Sequence, residues 1–300
     1  MNGTLDPDLN GLEKRLIAAV RRDGATPEAI ALFRELILMH YRKWGRDLPW
    51  RRTADPYRII VAEMMLQQTQ VDRVVPKYNA FLERFPEADA LALSPLKNVL
   101  AAWQGLGYNR RAIALQKTAQ RIVDDFGGTV PADVDTLTTF PGIGRATASA
   151  VCAYAFDMPV VYVETNIRRV FIHVFFPGRE GVPDAEILPL VERTLYQESP
   201  REWYNALMDY GSVLKQRTEN PNRRSAAYAV QSRFAGSDRQ IRGAILRSLL
   251  EQGSLDAATL AASLGEDADR VARIVAALER EGFLAVQEGR IVPAGDGPSR

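Results

Sequence analysis

From Thr26 to about residue 236, apolar residues recur at spacings of three and four almost without a break, a pattern that packed helices satisfy and sheets do not. The segments are TPEAIALFRELILMHYRKWG, opened by Thr26 as a suitable N-cap, then YRIIVAEMMLQQTQVDRVVPKYNAFLERF, PLKNVLAAW, NRRAIALQKTAQRIVDDFG, DVDTLTTF, RATASAVCAYAF, NIRRVFIHVFF, DAEILPLVERTLY and REWYNALMDYGSVLKQ. Pro and Gly mark the joins, and the pattern predicts a mainly α domain over residues 29–236, preceded by an N-terminal extension (1–28) with a short helix, GLEKRLIAAVRRDG. After residue 236 the pattern changes. RQIRGAILRSLLEQG, SLDAATLAASLG and DADRVARIVAALEREG predict three short helices, and FLAVQEGRIVPA predicts a β-hairpin turning at Glu288-Gly289. That order is the order of a small winged helix-turn-helix-like module over 237–294, with a disordered tail at 295–300.

Composition narrows the chemistry. The 300 residues, 46% hydrophobic, can bury a real core, and no apolar stretch approaches the ~20 residues that span a bilayer. The start, MNGTLDPDLNGLEKR, has no basic run followed by an apolar core, so a cytoplasmic protein without membrane contact is expected. One cysteine, Cys152, excludes intramolecular disulfides and any metal or cluster site built from several thiolates; in ASAVCAYAF it reads as a small core residue. His40 and His173 lie on apolar helix faces and read as satisfied, partly buried side chains. Charge is uneven: residues 201–247 hold nine Arg or Lys against four Asp or Glu, and 251–290 hold four against eight, so the basic belt precedes most of the C-terminal module.

Three short strings stand out. LTTFPGIGRATASAV (137–151) is a helix, a turn Pro141-Gly142-Ile143-Gly144, and a second helix. Its glycines allow close backbone approach and bare N–H groups at a helix start, which makes a sequence-independent phosphate clamp, though an ordinary tight helical connection has the same form. In AEMMLQQTQV, Glu63 lies among apolar neighbours that raise a carboxyl pKa and suit it to proton donation, unless it only caps the polar side of its helix. In VVYVETNIRRVF (160–171), a lone acid, Glu164, interrupts an apolar run where a helix restarts. Asp would cap that helix better and Thr165 is available as the cap, which favours a site role for Glu164.

Taken together, LPWRRTADPYRIIVAEMMLQQTQV, WQGLGYNRRA, FPGIGRATASAV, VETNIRRV and NALMDYG, in this order, closely resemble the helix-hairpin-helix DNA glycosylases, and within them the MutY-type adenine glycosylases, over roughly residues 30–215. The resemblance implies two helical lobes, double-stranded DNA bent across them, and a mispaired or damaged base flipped out. It implies that Glu63 is the general acid, that Glu164 stands where the family has an Asp that stabilises the cationic sugar, and that Asn166 orients these groups. Gln67, Gln68 and Tyr108 match residues that fill the gap left by flipping; Pro141, Gly142, Ile143 and Gly144 match the phosphate clamp, with Arg168 near DNA. Relatives that also cut the strand carry a Lys directly after the hairpin, in a GRKTA-like string; here GRATA has Ala146, which implies a monofunctional enzyme.

Departures from the family are equally plain. Its four-cysteine iron–sulfur loop is replaced by KQRTENPNRRSAAYAVQSRF, so no such cluster can form and no cofactor is expected, although hairpin carbonyls allow a monovalent cation. Arg217, Arg223, Arg224 and Arg233 are candidates for the DNA contacts of the lost loop, or form a solvated basic loop. The usual C-terminal 8-oxoguanine-recognition domain gives way to the winged module, whose third helix is the customary DNA reader but whose net charge suits packing or protein contact as well. Asn109 stands where MutY-like chains often have a second Tyr, which leaves the target base open: adenine opposite guanine or 8-oxoguanine, or thymine or uracil opposite guanine. The competing class is a non-catalytic DNA-binding or damage-sensing protein. Either acts as a monomer on DNA.

Overall fold

Thr26 caps its helix as its residue type predicts: its hydroxyl accepts a hydrogen bond from the Ala29 amide at 3.2 Å. In the computed structural model, residues 7–230 and 233–294 are described. They run α1 (Pro7–Asp23), α2 (Pro27–Trp44), a 3-10 turn (Pro49–Arg51), α3 (Pro56–Leu66), α4 (Val71–Arg84), α5 (Ala88–Ala92), α6 (Leu96–Trp103) and α7 (Arg110–Phe126). Then follow α8 (Val134–Thr138), α9 (Arg145–Phe156), α10 (Thr165–Phe175), α11 (Asp184–Thr194), α12 (Pro200–Arg217), α13 (Asp238–Gln252), β1 (Leu255–Asp256), α14 (Ala257–Leu264), α15 (Ala268–Arg280), β2 (Leu284–Gln287) and β3 (Arg290–Pro293). The chain divides into two units, one formed by residues up to Ile59 with Ala132–Thr138 and Ile143–Val230, the other by Ile60–Pro131, Thr139–Gly142 and the residues from 233 on. The tail expected at 295–300 lies outside the described residues. Among the described residues no helix is long and apolar enough to cross a membrane.

The first unit is built around α10, whose Ile167, Val170, Phe171, Ile172 and Val174 are all fully buried. Phe33 of α2 meets Phe171, Phe175 and Trp203 edge to face, with ring centroids 5.3, 5.1 and 5.8 Å away. The N-terminal segment is no appendage: Leu9, Leu12, Leu16 and Val20, spaced by three and four, put one face of α1 into the same core.

That helix also delivers a buried carboxylate. Glu13 is 5% exposed and accepts hydrogen bonds from Tyr210 Oη (2.7 Å), His173 Nε2 (3.0 Å) and Arg217 Nη2 (3.2 Å). Burial alone would raise its pKa, but these partners outweigh it and hold Glu13 at about 2. Arg217, a candidate DNA contact by sequence, is therefore spent inside the fold. Glu13→Gln is expected to cost about 3 kcal/mol at pH 7, because it leaves the Arg217 charge buried without its partner. Glu13's stabilisation is present above its ordinary pKa of 4.5 and is lost as pH falls toward 2, so urea unfolding should find the two proteins converging in acid.

The segment that follows α12 is held by hydrogen bonds to both ends of α10. Asn222 Nδ2 donates to the Thr165 carbonyl (2.9 Å), Asn220 Oδ1 accepts from Arg169 Nε (3.2 Å), and Arg224 donates to the carbonyls of Phe176 (2.5 Å) and Ile172 (3.3 Å). Val182 and Ser225 form a parallel bridge beside it. A four-thiolate cluster does not fit this segment, which has no cysteine and engages Asn222 and Arg224 with the α10 backbone, while Cys152 is buried on α9. Arg224, like Arg217, is structural rather than turned outward; Arg223 is exposed and paired with Glu219.

In the second unit, α5 and α6 pack on α7 and α4 on α6. The long helix suggested by YRIIVAEMMLQQTQVDRVV is broken: α3 ends at Leu66, Gln68 is left-handed (φ 54°), and α4 begins at Val71. The C-terminal residues take the order helix, strand, helix, helix, hairpin, with strand order β1–β3–β2. The short strand β1 goes beyond the sequence pattern; the hairpin turns at Glu288 (φ 49°) and Gly289 (φ 76°), both left-handed as a two-residue turn requires.

Candidate active site

α3 presents Glu63, half-buried, between Ala62 and Met64, which are fully buried. The end of that helix is fastened by a residue that sequence reasoning passed over. Arg111, 9% exposed, donates to the carbonyls of Met64 (2.8 Å), Met65 (2.9 Å) and Gln67 (2.5 Å), and through its other nitrogen to Thr69 Oγ1 (3.0 Å) and the carbonyls of Leu106 (3.3 Å) and Gly107 (3.0 Å). Burial lowers its pKa to about 10, still cationic at neutral pH, and the charge sits against the negative end of the α3 dipole. One guanidinium thus joins the helix bearing Glu63 to the loops bearing Gln67, Gln68 and Tyr108. Its signal was its spacing: Arg111 falls on the same face of α7 as buried Leu115, Ala119 and Ile122.

Gln68 and Tyr108 are both exposed and both left-handed, with φ of 54° and 47°. Strain in non-glycine residues persists only where surrounding structure imposes it, and here Arg111 does so. Gln67 reaches the turn of the hairpin, its Nε2 donating to the Gly142 carbonyl (3.2 Å), while Thr118 Oγ1 donates to the Pro141 carbonyl (3.0 Å). Gly142 has φ 75°, and a Cβ there would lie 2.8 Å from Ala114 Cβ and 2.9 Å from Met64 Cε, so the turn needs glycine twice over. Ile143 is buried, so only its backbone faces outward, and Gly144 begins α9, whose first turn has no side-chain cap and carries exposed Ala146.

In the first unit, Glu164 caps α10. Its backbone is extended (φ −127°, ψ −179°), and Oε1 accepts from the amides of Asn166 (2.5 Å) and Ile167 (2.9 Å), with Thr165 the first helical residue rather than the cap. The expectation that a cap here would fall to Thr165 is corrected: the longer side chain folds back far enough to cap. Burial pushes the Glu164 pKa up, against those two amides and the nearby charges of Arg169 and Arg168. Arg169 is buried, and Nη1 donates to Asn166 Oδ1 (2.7 Å) and to the Gly211 carbonyl (2.8 Å), so Asn166 is held by a positioning residue. Arg168, expected near DNA, is bound bidentately by Asp184 (2.6 and 2.6 Å), which balances its charge.

The motif NALMDYG explains itself in the same place. Asp209, 2% exposed, accepts from Arg46 Nε (2.6 Å) and from Arg51 (2.8 and 2.9 Å), tying it to LPWRR. Gly211 lets α12 touch α10: a Cβ there would lie 2.7 Å from both Asn166 Cβ and Asn166 O. Gly211→Ala is therefore expected to displace Asn166, costing about 1–3 kcal/mol and on the order of tenfold or more in turnover, whereas Gly11→Ala, in open space, should be neutral or stabilising in the same thermal and kinetic assays.

Residues 61–187 match the HhH-GPD superfamily base excision DNA repair protein family. The adenine DNA glycosylase of Mycolicibacterium smegmatis is 37% identical over 228 residues, covering 70% of this chain and 78% of the relative. Among solved structures, a thermostable thymine-DNA glycosylase superposes with a TM-score of 0.58 at 25% identity, over 66% of this chain and 92% of that one. An endonuclease III trapped in a covalent DNA complex superposes with a TM-score of 0.50 at 22% identity, over 63% and 85%. The chain belongs to the HhH-GPD superfamily of base excision DNA repair proteins, and within it to the adenine DNA glycosylase family.

Proposed function

We propose that the protein is a monofunctional DNA glycosylase that flips a mispaired adenine, opposite guanine or 8-oxoguanine, out of duplex DNA and hydrolyses its glycosidic bond. Glu63 donates a proton to the base, which leaves with the electron pair of the C1′–N bond. Ionised Glu164 stabilises the cationic sugar, with Asn166 held beside it by Arg169. Water adds to C1′ and gives its proton to the Glu63 carboxylate, leaving an abasic site. Gln67, Gln68 and Tyr108 fill the gap in the stack, and the amides of the 141–144 turn and the α9 start bind phosphate. No cofactor enters these steps. The observation that carries this reading is the 228-residue alignment with an adenine DNA glycosylase, which combines with Ala146 in the exposed first turn of α9 to leave no amine at the lyase position.

A mismatch thymine or uracil glycosylase is the second reading, favoured by the superposition over 92% of a thymine-DNA glycosylase. Single-turnover incubation with A:8-oxoguanine, A:G, T:G and U:G duplexes separates the two. Faster loss of adenine than of either pyrimidine is expected; a reversed order would move the assignment to the second reading.

A further inference from the structure

The second unit contains a groove of about 1060 Å³ walled on one side by the Gln67–Gln68 and Gln104–Arg111 segments and on the other by α13 of the C-terminal module. Its lining includes Arg73, Arg110, Arg111, Arg239, Arg242 and Arg247 and no Asp or Glu. α13 does more than stand opposite. Arg239 Nη1 donates to Tyr108 Oη (2.6 Å), and its guanidinium lies 5.7 Å from the Tyr108 ring, with Arg111 5.5 Å from the same ring. The module is pinned in this position by Glu281, at the end of α15, which binds Arg110 of α7 (2.7 and 2.7 Å) and Arg242 of α13 (3.1 Å). Those two guanidiniums hold the Glu281 pKa down to about 2, so the clasp stays ionised.

We infer that α13, the first helix of the winged module, is a DNA-binding element, and that this groove takes the sugar–phosphate backbone of the strand into which Gln68 and Tyr108 insert. The customary reader of such a module is its third helix, but here that helix supplies Glu281 to the clasp while α13 faces the groove. Arg111 is consumed by carbonyls, Arg73 donates to the Gly105 carbonyl, and Arg110 and Arg242 share one carboxylate; on α13 the cations that the groove presents to a phosphate are therefore Arg239, beside Tyr108, and exposed Arg247. Arg239 also fixes the tyrosine ring, coupling backbone contact to insertion. This inference rests on the proposed function for the choice of DNA as the ligand and for the insertion of Gln68 and Tyr108.

The test is binding of the full-length protein to a duplex whose adenine is 2′-fluorinated to resist excision, by fluorescence anisotropy across a salt series. Arg239→Ala/Arg247→Ala is expected to weaken binding about tenfold or more near 0.1 M salt and to reduce the slope of log Kd against log salt by about 1–2, while Arg239→Lys/Arg247→Lys restores most of the slope. An unchanged Kd and slope, or equal loss in the Ala and Lys variants with a lowered melting temperature, would overturn it. Failure of the wild type to release any base, with α13-dependent binding intact, would sink the proposed function and leave this inference standing.

Discussion

Glu63→Gln is expected to slow single-turnover base loss by about 10²–10⁴-fold while duplex affinity and thermal stability barely change. The amide matches the carboxyl in shape but has no proton to transfer, so the base must depart as an anion. The helix itself is secured elsewhere: Arg111 holds the carbonyls of Met64, Met65 and Gln67, none of which the substitution touches. A variant that kept its rate within about tenfold of wild type would place the proton donor on another residue.

The Glu164 series separates a cap from a charge. Because Oε1 accepts from the Asn166 and Ile167 amides, Glu164→Gln retains an oxygen that can cap α10 while removing the negative charge that the proposed mechanism sets against the sugar. Stability should therefore change by only a few tenths of a kcal/mol, and the rate should fall by about 10²–10³-fold, the range for loss of a preorganised electrostatic contact. Glu164→Ala should lose the rate and also about 1 kcal/mol of stability with the cap. Were Gln to keep the rate and Ala to lose only stability, Glu164 would be a cap and nothing more. The pH profile gives an independent reading. A raised pKa means that Glu164 accepts its proton at higher pH than the 4.5 of an ordinary glutamate. The acid limb of the single-turnover rate is accordingly expected above that value in wild type and to be absent from the Gln variant.

Local strings in the sequence made much of this visible. The 3.6-residue periodicity located the helices, FPGIGRATASAV located the hairpin, and Glu288-Gly289 located the wing turn, because each is governed by contacts within a few residues. Residues governed by distant partners were misjudged. Arg168 and Arg169 look alike in the string NIRRV, yet one is claimed by Asp184 and the other by Asn166, Gly211 and Asn220. Arg217 and Arg224 read as a basic loop until Glu13, about 200 positions upstream, and the carbonyls at the end of α10 are seen to hold them. Thr165 was favoured as cap on average propensity, which does not register that an extended backbone lets a longer acid fold back onto the same amides. The role of α13 could not be read from net charge, because the acidic residues of the module lie outside the groove and one of them, Glu281, is what fastens the helix there.

The proposed reaction is hydrolysis of a glycosidic bond by two glutamates without an amine nucleophile. Its most direct measurement is the product of a single turnover on an A:8-oxoguanine duplex: free base by mass spectrometry, and strand integrity before and after alkali. Free adenine together with a strand that breaks only after alkali is the predicted result. A strand cut without alkali, or an intact duplex with no base released under conditions where it is bound, would contradict it.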